Sequence, residues 1–202
     1  MKILFIGLTS LLVLFITIQA FVMKSSRDTE MYAYKVIKKY DSFEIRKYEP
    51  ANFTYVTMNA SSYKENSGKG FRSLAGYIFG DNEKGEKIAM TSPVAMSLDD
   101  STTTMMFMVP SEHELENLPK PNNSDVKFKR EPGKTVAAIT FGGWADDEKI
   151  KDYTAKLKDL LKANGIAHLN NFSFLGYNPP FEIFNRRNEI IVEIDPKSTF
   201  NL

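Results

Sequence analysis

Asn185-Arg186-Arg187-Asn188-Glu189 sets two guanidinium groups beside a carboxylate, a combination that can bind an anion or move a proton. The same residues can instead pin a turn to the following strand through ion pairs. The preceding Gly176-Tyr177-Asn178-Pro179-Pro180 favours that structural use, because proline fixes φ and removes a donor. Five methionines, Met90, Met96, Met105, Met106 and Met108, carry soft thioethers that can ligate a transition metal. Methionine also fills irregular apolar gaps and lines adaptable pockets, and Met90 is read as a pocket-lining residue on that ground. His113, in Ser111-Glu112-His113-Glu114-Leu115-Glu116, lacks the second histidine of a helical zinc site. His168 lies beside Asn170 and Asn171 as a loop or capping residue. Lys69 and Arg72 could hold carboxylates by charge-assisted hydrogen bonds, the arginine as a planar fork.

Whole classes of chemistry are missing. There is no cysteine, which removes disulfides, thiolate metal sites and cysteine nucleophiles together. No Ser-His-Asp context, glycine-rich phosphate loop or histidine-rich metal spacing is present, so no catalytic residue is assigned and the chain is read as a non-enzyme. Hydrophobic content of 43% with 25% charge is that of an ordinary globular protein. A net charge of +1 provides no basic footprint for DNA or RNA, so nucleic acid is not an expected partner.

The elements that must position these residues follow an order that recurs. Phe43-Glu44-Ile45-Arg46-Lys47-Tyr48 leads into Glu49-Pro50-Ala51, then an alternating run from Phe53 to Asn59, then a helix beginning near Ser62. Val126-Lys127-Phe128-Lys129-Arg130 leads into Glu131-Pro132-Gly133, then Thr135 to Phe141, then a helix beginning near Asp146. The first helix opens on a capping box, Ser62-Tyr63-Lys64-Glu65, and closes at Gly80. Phe71, Leu74, Ala75, Ile78 and Phe79 form its apolar stripe, and Gly68 and Gly70 weaken its first half. The second has Asp146, Asp147 and Glu148 at its positive end, a stripe of Ile150, Tyr153, Leu157 and Leu160 or Leu161, and a stop at Asn164-Gly165. Two strands are expected after each helix, Lys87 to Leu98 and Thr103 to Val109, then Phe172 to Tyr177 and Glu189 to Ile194. Tyr34 to Tyr40 adds a leading strand, and Ser111 to Asp125 reads as a linker. The fold class is α+β: two pseudo-symmetric ββαββ units forming a distorted β-barrel flanked by two helices, plus an N-terminal hydrophobic helix. Such tandem units often bind a ligand between them.

That N-terminal helix stands apart. Ile3 to Met23 contains no charge, and a helix of about 20 apolar residues spans the bilayer hydrocarbon. Lys2 supplies a minimal positive region, and cleavage after Ala20 would put Ile18 where a small residue is preferred. Residues 1–23 are therefore expected to be a signal peptide or membrane anchor, the uncleaved anchor being favoured. Residues 24–33 would be a tether, 34–195 the folded domain and 196–202 a tail. The domain is expected to be exported or membrane-anchored, on the extracytoplasmic side.

Several segments carry a family likeness. They are Tyr48-Glu49-Pro50-Ala51, Lys87-Ile88-Ala89-Met90-Thr91-Ser92-Pro93-Val94, Phe141-Gly142-Gly143, Gly176 to Pro180 and Asn185 to Glu189. In their order and spacing, from about Tyr34 to Ile194, the chain resembles the SOUL haem-binding family. The resemblance implies a barrel-like sheet with two helices and a mostly hydrophobic pocket for haem or another tetrapyrrole. It implies a role in carrying, buffering or sensing that ligand, without catalysis. The fold is also similar to effector-binding domains of multidrug-sensing regulators. An effector module for another flat apolar molecule, or a protein-interaction module, is the alternative. On this reading Phe71, Leu74, Ala75 and Ile78 face the ring, Lys69 and Arg72 pair with its carboxylates, and Met90 and Tyr177 complete the lining. Lys87 is a further candidate cation. Lys47 stands where some members have a histidine proposed as iron ligand, and Gly76 and Glu182 where others have lysines. The axial ligand is thus left unassigned.

Overall fold

The computed structural model describes residues 10–11, 13–19, 24, 29–59, 62–99 and 101–195. Nine strands form one antiparallel curled sheet: β1 (Tyr34–Lys39), β2 (Glu44–Tyr48), β3 (Ala51–Asn59), β4 (Val94–Ser97), β5 (Thr102–Met108), β6 (Lys127–Glu131), β7 (Lys134–Gly142), β8 (Ser173–Gly176) and β9 (Arg187–Glu193). Helix α1 (Tyr63–Ile78) follows β3 and α2 (Asp147–Ala163) follows β7. The sheet order is β1-β2-β7-β9-β8-β4-β5-β3-β6. It has two free ends, β1 and β6, so it is a half-barrel where a closed barrel was expected.

The central strands are covered on both faces, which explains their near-continuous apolar runs. In β7 and β9, neighbouring residues go to opposite cores. Ala137, Ile139, Ile190 and Val192 pack under the helices with Ile45, Met105, Phe107, Leu74, Ile78, Leu157 and Leu161. Val136, Ala138 and Ile191 pack on the other face with Tyr32, Tyr48, Phe53, Met106, Met108 and Leu175. The capping residues act as their types dictate: Ser62 Oγ accepts from Glu65 N at 3.2 Å, and Asp146 Oδ1 from Lys149 N at 2.8 Å. Gly70 is explained by proximity. A Cβ there would lie 2.9 Å from Met58 Cε and 3.0 Å from Met105 Sδ, so α1 sits directly on β3 and β5.

Two expectations change. The strand expected over Lys87 to Leu98 is confined to β4, because the residues before it bond outside the sheet: Ile88 N donates to Ile78 O at 2.8 Å and Ser92 N to Glu30 O at 2.9 Å. The stretch Ser111 to Asp125 is partly folded in, with Leu118 buried and Tyr77 donating to Pro119 O at 2.9 Å. Burial pushes the Tyr77 hydroxyl up to about 12.

The second face is organised by a fully buried carboxylate. Glu189 Oε2 accepts from Arg46 Nη1 and from Tyr177 Oη, both at 2.8 Å. Its Oε1 accepts from Arg187 Nη2 at 2.7 Å, Arg187 Nε at 3.0 Å and Thr140 Oγ1 at 3.1 Å. Arg187 Nη2 also reaches Tyr34 Oη at 2.9 Å, and Arg46 Nε reaches Glu44 Oε2 at 2.8 Å. The pair Arg186-Arg187 thus serves the structural use that its turn context suggested. Burial alone would raise the Glu189 carboxyl; the Arg46 and Arg187 hydrogen bonds and charges outweigh it and hold it below the usual carboxylate range.

Two variants test this frame. Leu74→Ala, a cavity in the helix-side core, should cost about 2–5 kcal/mol in denaturant unfolding. Glu189→Gln should cost about 3–5 kcal/mol, because it removes the charge that the buried Arg46 and the half-buried Arg187 guanidinium groups face. Because the folded chain holds Glu189 ionised at a lower pH than the unfolded chain does, its contribution is complete above the ordinary carboxylate pKa. It is lost as pH falls through the depressed value. Acid unfolding should therefore be shallower in Glu189→Gln than in the parent.

Candidate functional site

The apolar stripe of α1 does not line a slot. Leu74, Ala75 and Ile78 are 0%, 8% and 4% exposed and belong to the helix-side core. The expected gap between helix and sheet is filled by the protein's own side chains, since two apolar surfaces exclude the water between them. Phe71 is half-buried, its ring 5.3 Å from that of Phe107, and Met90 rests half-buried against the same core. Lys69, Arg72 and Lys87 are exposed. Tyr177 lies elsewhere. It packs on the opposite face of the sheet, under the Arg187 guanidinium at 4.0 Å, with its hydroxyl committed to Glu189. The structure therefore keeps Lys69, Phe71 and Arg72 on α1 with Met90 near its core and separates Tyr177 from them.

Two segments approach the ends of α1. Residues 87–92 leave its C-terminal end through the Ile88–Ile78 hydrogen bond and reach the start of the loop 178–186, where Ser92 Oγ donates to Tyr177 O at 3.1 Å. The loop then returns to the N-terminal end of α1. Arg186 holds it, with Nη1 donating to Pro179 O at 2.9 Å and Glu182 O at 2.6 Å, and Nη2 to Asn178 O at 3.3 Å. The Arg186 guanidinium lies 4.0 Å over the Trp144 ring. Burial lowers the Arg186 pKa, against the opposing influence of Tyr63 and Glu182. Burial raises the Tyr63 hydroxyl, with Arg186 opposing and Asp147 adding to the rise. Tyr63 N donates to Asp147 Oδ1, and the Tyr63 ring meets Phe174 edge-on at 5.1 Å. The starts of both helices, Trp144 and the loop thus converge.

The large apolar side chains on this side are on the loop. Phe181, Ile183 and Phe184 are 61%, 46% and 51% exposed. Sequence reasoning passed over them, although Phe181-Glu182-Ile183-Phe184 directly after two prolines places bulky apolar residues where turn chemistry calls for polar ones. Gly68, beside Phe71 on α1, has open space where a Cβ would stand.

Neither histidine belongs to this face. His168 Nδ1 contacts Leu169 O, and its ring lies edge-on to Phe172 at 5.3 Å. His113 borders a cavity of about 230 Å³ with Glu30, Tyr32, Asn52, Met108 and Arg130. A second cavity of about 200 Å³ is lined by Met106, Lys129, Glu131, Lys134, Ile191 and Glu193. Both fall below the roughly 300–1,000 Å³ of enclosed ligand pockets, and neither is lined by Lys69, Phe71, Arg72, Met90 or Tyr177. The hydroxyls of Tyr32 and Tyr48 are buried without a hydrogen-bond partner among the described residues. Among the described residues no group of three or more histidine or carboxylate side chains could hold a metal ion. Nor is any helix among them long and apolar enough to cross a membrane; most of the N-terminal run lies outside the described residues.

Comparison with known proteins gives this geometry a context. The chain is 31% identical over 157 residues to Heme-binding protein 2 of Mus musculus, covering 74% of this chain and 76% of that one. It is 27% identical over 156 residues to Heme-binding protein 1 of Xenopus laevis, covering 74% and 82%. Its fold is similar to that of the EcmrR C-terminal domain, with a TM-score of 0.61 at 10% identity, over 80% of this chain and 98% of that one. Residues 29–193 match the family described as SOUL heme-binding protein, and the chain belongs to that family.

Proposed function

We propose that this chain binds haem or a related tetrapyrrole as a carrier, buffer or sensor, without catalysing a reaction on it. Family membership is the observation that carries this reading. The ring lies on an open face bordered by α1, residues 87–92 and the loop 178–186. It does not enter the helix–sheet interior, where Leu74, Ala75 and Ile78 are already packed. Phe71, Met90, Phe181 and Phe184 offer apolar contact, and Gly68 leaves room for close approach. Lys69 and Arg72, both exposed, are placed on α1 to meet the carboxylates.

Apolar contact dominates the binding. Both histidines lie away from this face, and Lys47 is an exposed residue of β2 paired with Lys35 and Thr135. The same reading places the chain at a membrane, anchored by the apolar run Ile3 to Met23 with the domain on the extracytoplasmic side.

Titration of haemin, then of iron-free protoporphyrin, into the full chain in lipid nanodiscs tests the ligand. The expected outcome is a saturable change of the Soret band with similar affinity for both rings. Haemin binding far more tightly than protoporphyrin would show that iron coordination dominates, and no saturable change would end the proposal. The double substitution Lys69→Glu with Arg72→Glu should weaken haemin binding up to about tenfold, or about 1.4 kcal/mol, while leaving the unfolding midpoint nearly unchanged.

A further inference from the structure

We infer that the loop 178–186 docks into the headgroup region of a phospholipid bilayer, so that the domain rests on the membrane through its own aromatic face. The inference rests on the anchored reading above and names the surface that meets the lipid.

The contact between the N-terminal run and the domain locates that surface. Residues 13–19 are helical, and Val13, Leu14, Phe15, Ile16 and Ile18 are 41–61% exposed, so the domain leaves them uncovered. At Gln19 exposure falls to 7%. Its Nε2 donates to Phe181 O at 3.2 Å, and its Oε1 accepts from Ile183 N at 3.3 Å. Both halves of the side-chain amide are thus satisfied by the loop backbone, at the edge of an apolar run. Gln19 falls near the end of the stretch Ile3 to Met23, whose length suits one crossing of the hydrocarbon. The loop held against Gln19 therefore lies at the level where the helix leaves the bilayer.

The chemistry of the loop fits that level. Phe181, Ile183 and Phe184 present apolar surface to the acyl boundary. Trp144, 51% exposed and stacked by Arg186, is of the type enriched at membrane interfaces. Lys149, whose Nζ donates to Trp144 O at 3.0 Å, and Arg186 carry positive charge on this face, which favours an anionic surface. Of the carboxylates here, Asp146 and Asp147 accept from backbone amides of Lys149 and Tyr63 and Glu182 is buried, which leaves Glu148 exposed.

Trp144 is the single tryptophan of the chain, so its fluorescence reports on this face alone. The full chain, free of haem, is reconstituted into vesicles whose acyl chains are brominated at a shallow or a deep position. Expected is a blue-shifted emission that loses intensity with brominated lipid, most with the shallow label. Phe181→Ser with Phe184→Ser should restore the intensity while the chain stays in the membrane fraction. Three outcomes overturn the inference. Membrane-bound chain with emission unquenched by bromine and open to aqueous iodide sinks the docking while sparing the anchor. Blue-shifted emission without bromine quenching means that protein, such as a second copy, covers Trp144. A chain that stays out of the vesicles sinks docking and anchor together, and the haemin titration tests haem binding separately.

Discussion

The carboxylate of Glu189 is the constraint around which this half-barrel is arranged. A buried ion costs several kcal/mol unless its neighbours offset that cost, and here four side chains do so. They come from β2, β7, β9 and the residue just beyond β8, so the charge is satisfied only when those segments hold one register. Thr140 and Glu189 are directly paired across β7 and β9, which brings the hydroxyl to the carboxylate without adjustment. Arg187 extends the network to Tyr34 on the edge strand β1. Its neighbour Arg186 turns the other way and ties down the loop 178–186. Two adjacent arginines thus connect the buried carboxylate to the loop 178–186.

That arrangement moves the ligand question from the interior to the periphery. With both faces of the central strands covered, each apolar stripe has a partner within the fold, and no wide slot is left beneath α1. A flat ring can still be held where side chains are half-exposed, at Phe71, Met90 and the loop. The loop 178–186 is gripped by Gln19, so the proposed ligand face and the proposed membrane contact share one surface.

Much of the local structure was legible in the residues. Ser62 and Asp146 start the helices, and Gly165, at φ +66°, follows the end of α2. The order of strands and helices followed from periodicity. The site was legible only in part. Lys69 and Arg72 are exposed and Phe71 and Met90 half-buried, whereas Leu74, Ala75 and Ile78 carry the same helical spacing but are core. Spacing shows that a helix face is apolar, and it is silent on whether a sheet or a ring covers it. Tyr177 was misplaced for a related reason. Its position in a turn was clear, but the carboxylate that takes its hydroxyl approaches from a different strand.

The sequence by itself determined the features that depend on neighbours a few residues apart: the helix caps, the turns, the alternation of strands, the absence of thiol chemistry and the family motifs. Only the tertiary structure decided which apolar surfaces meet, because that depends on residues as far apart as Arg46 and Glu189 or Gln19 and Ile183. Such contacts form when burial and charge compensation are satisfied over the whole sheet at once. A pattern read along one strand or one helix cannot carry that information.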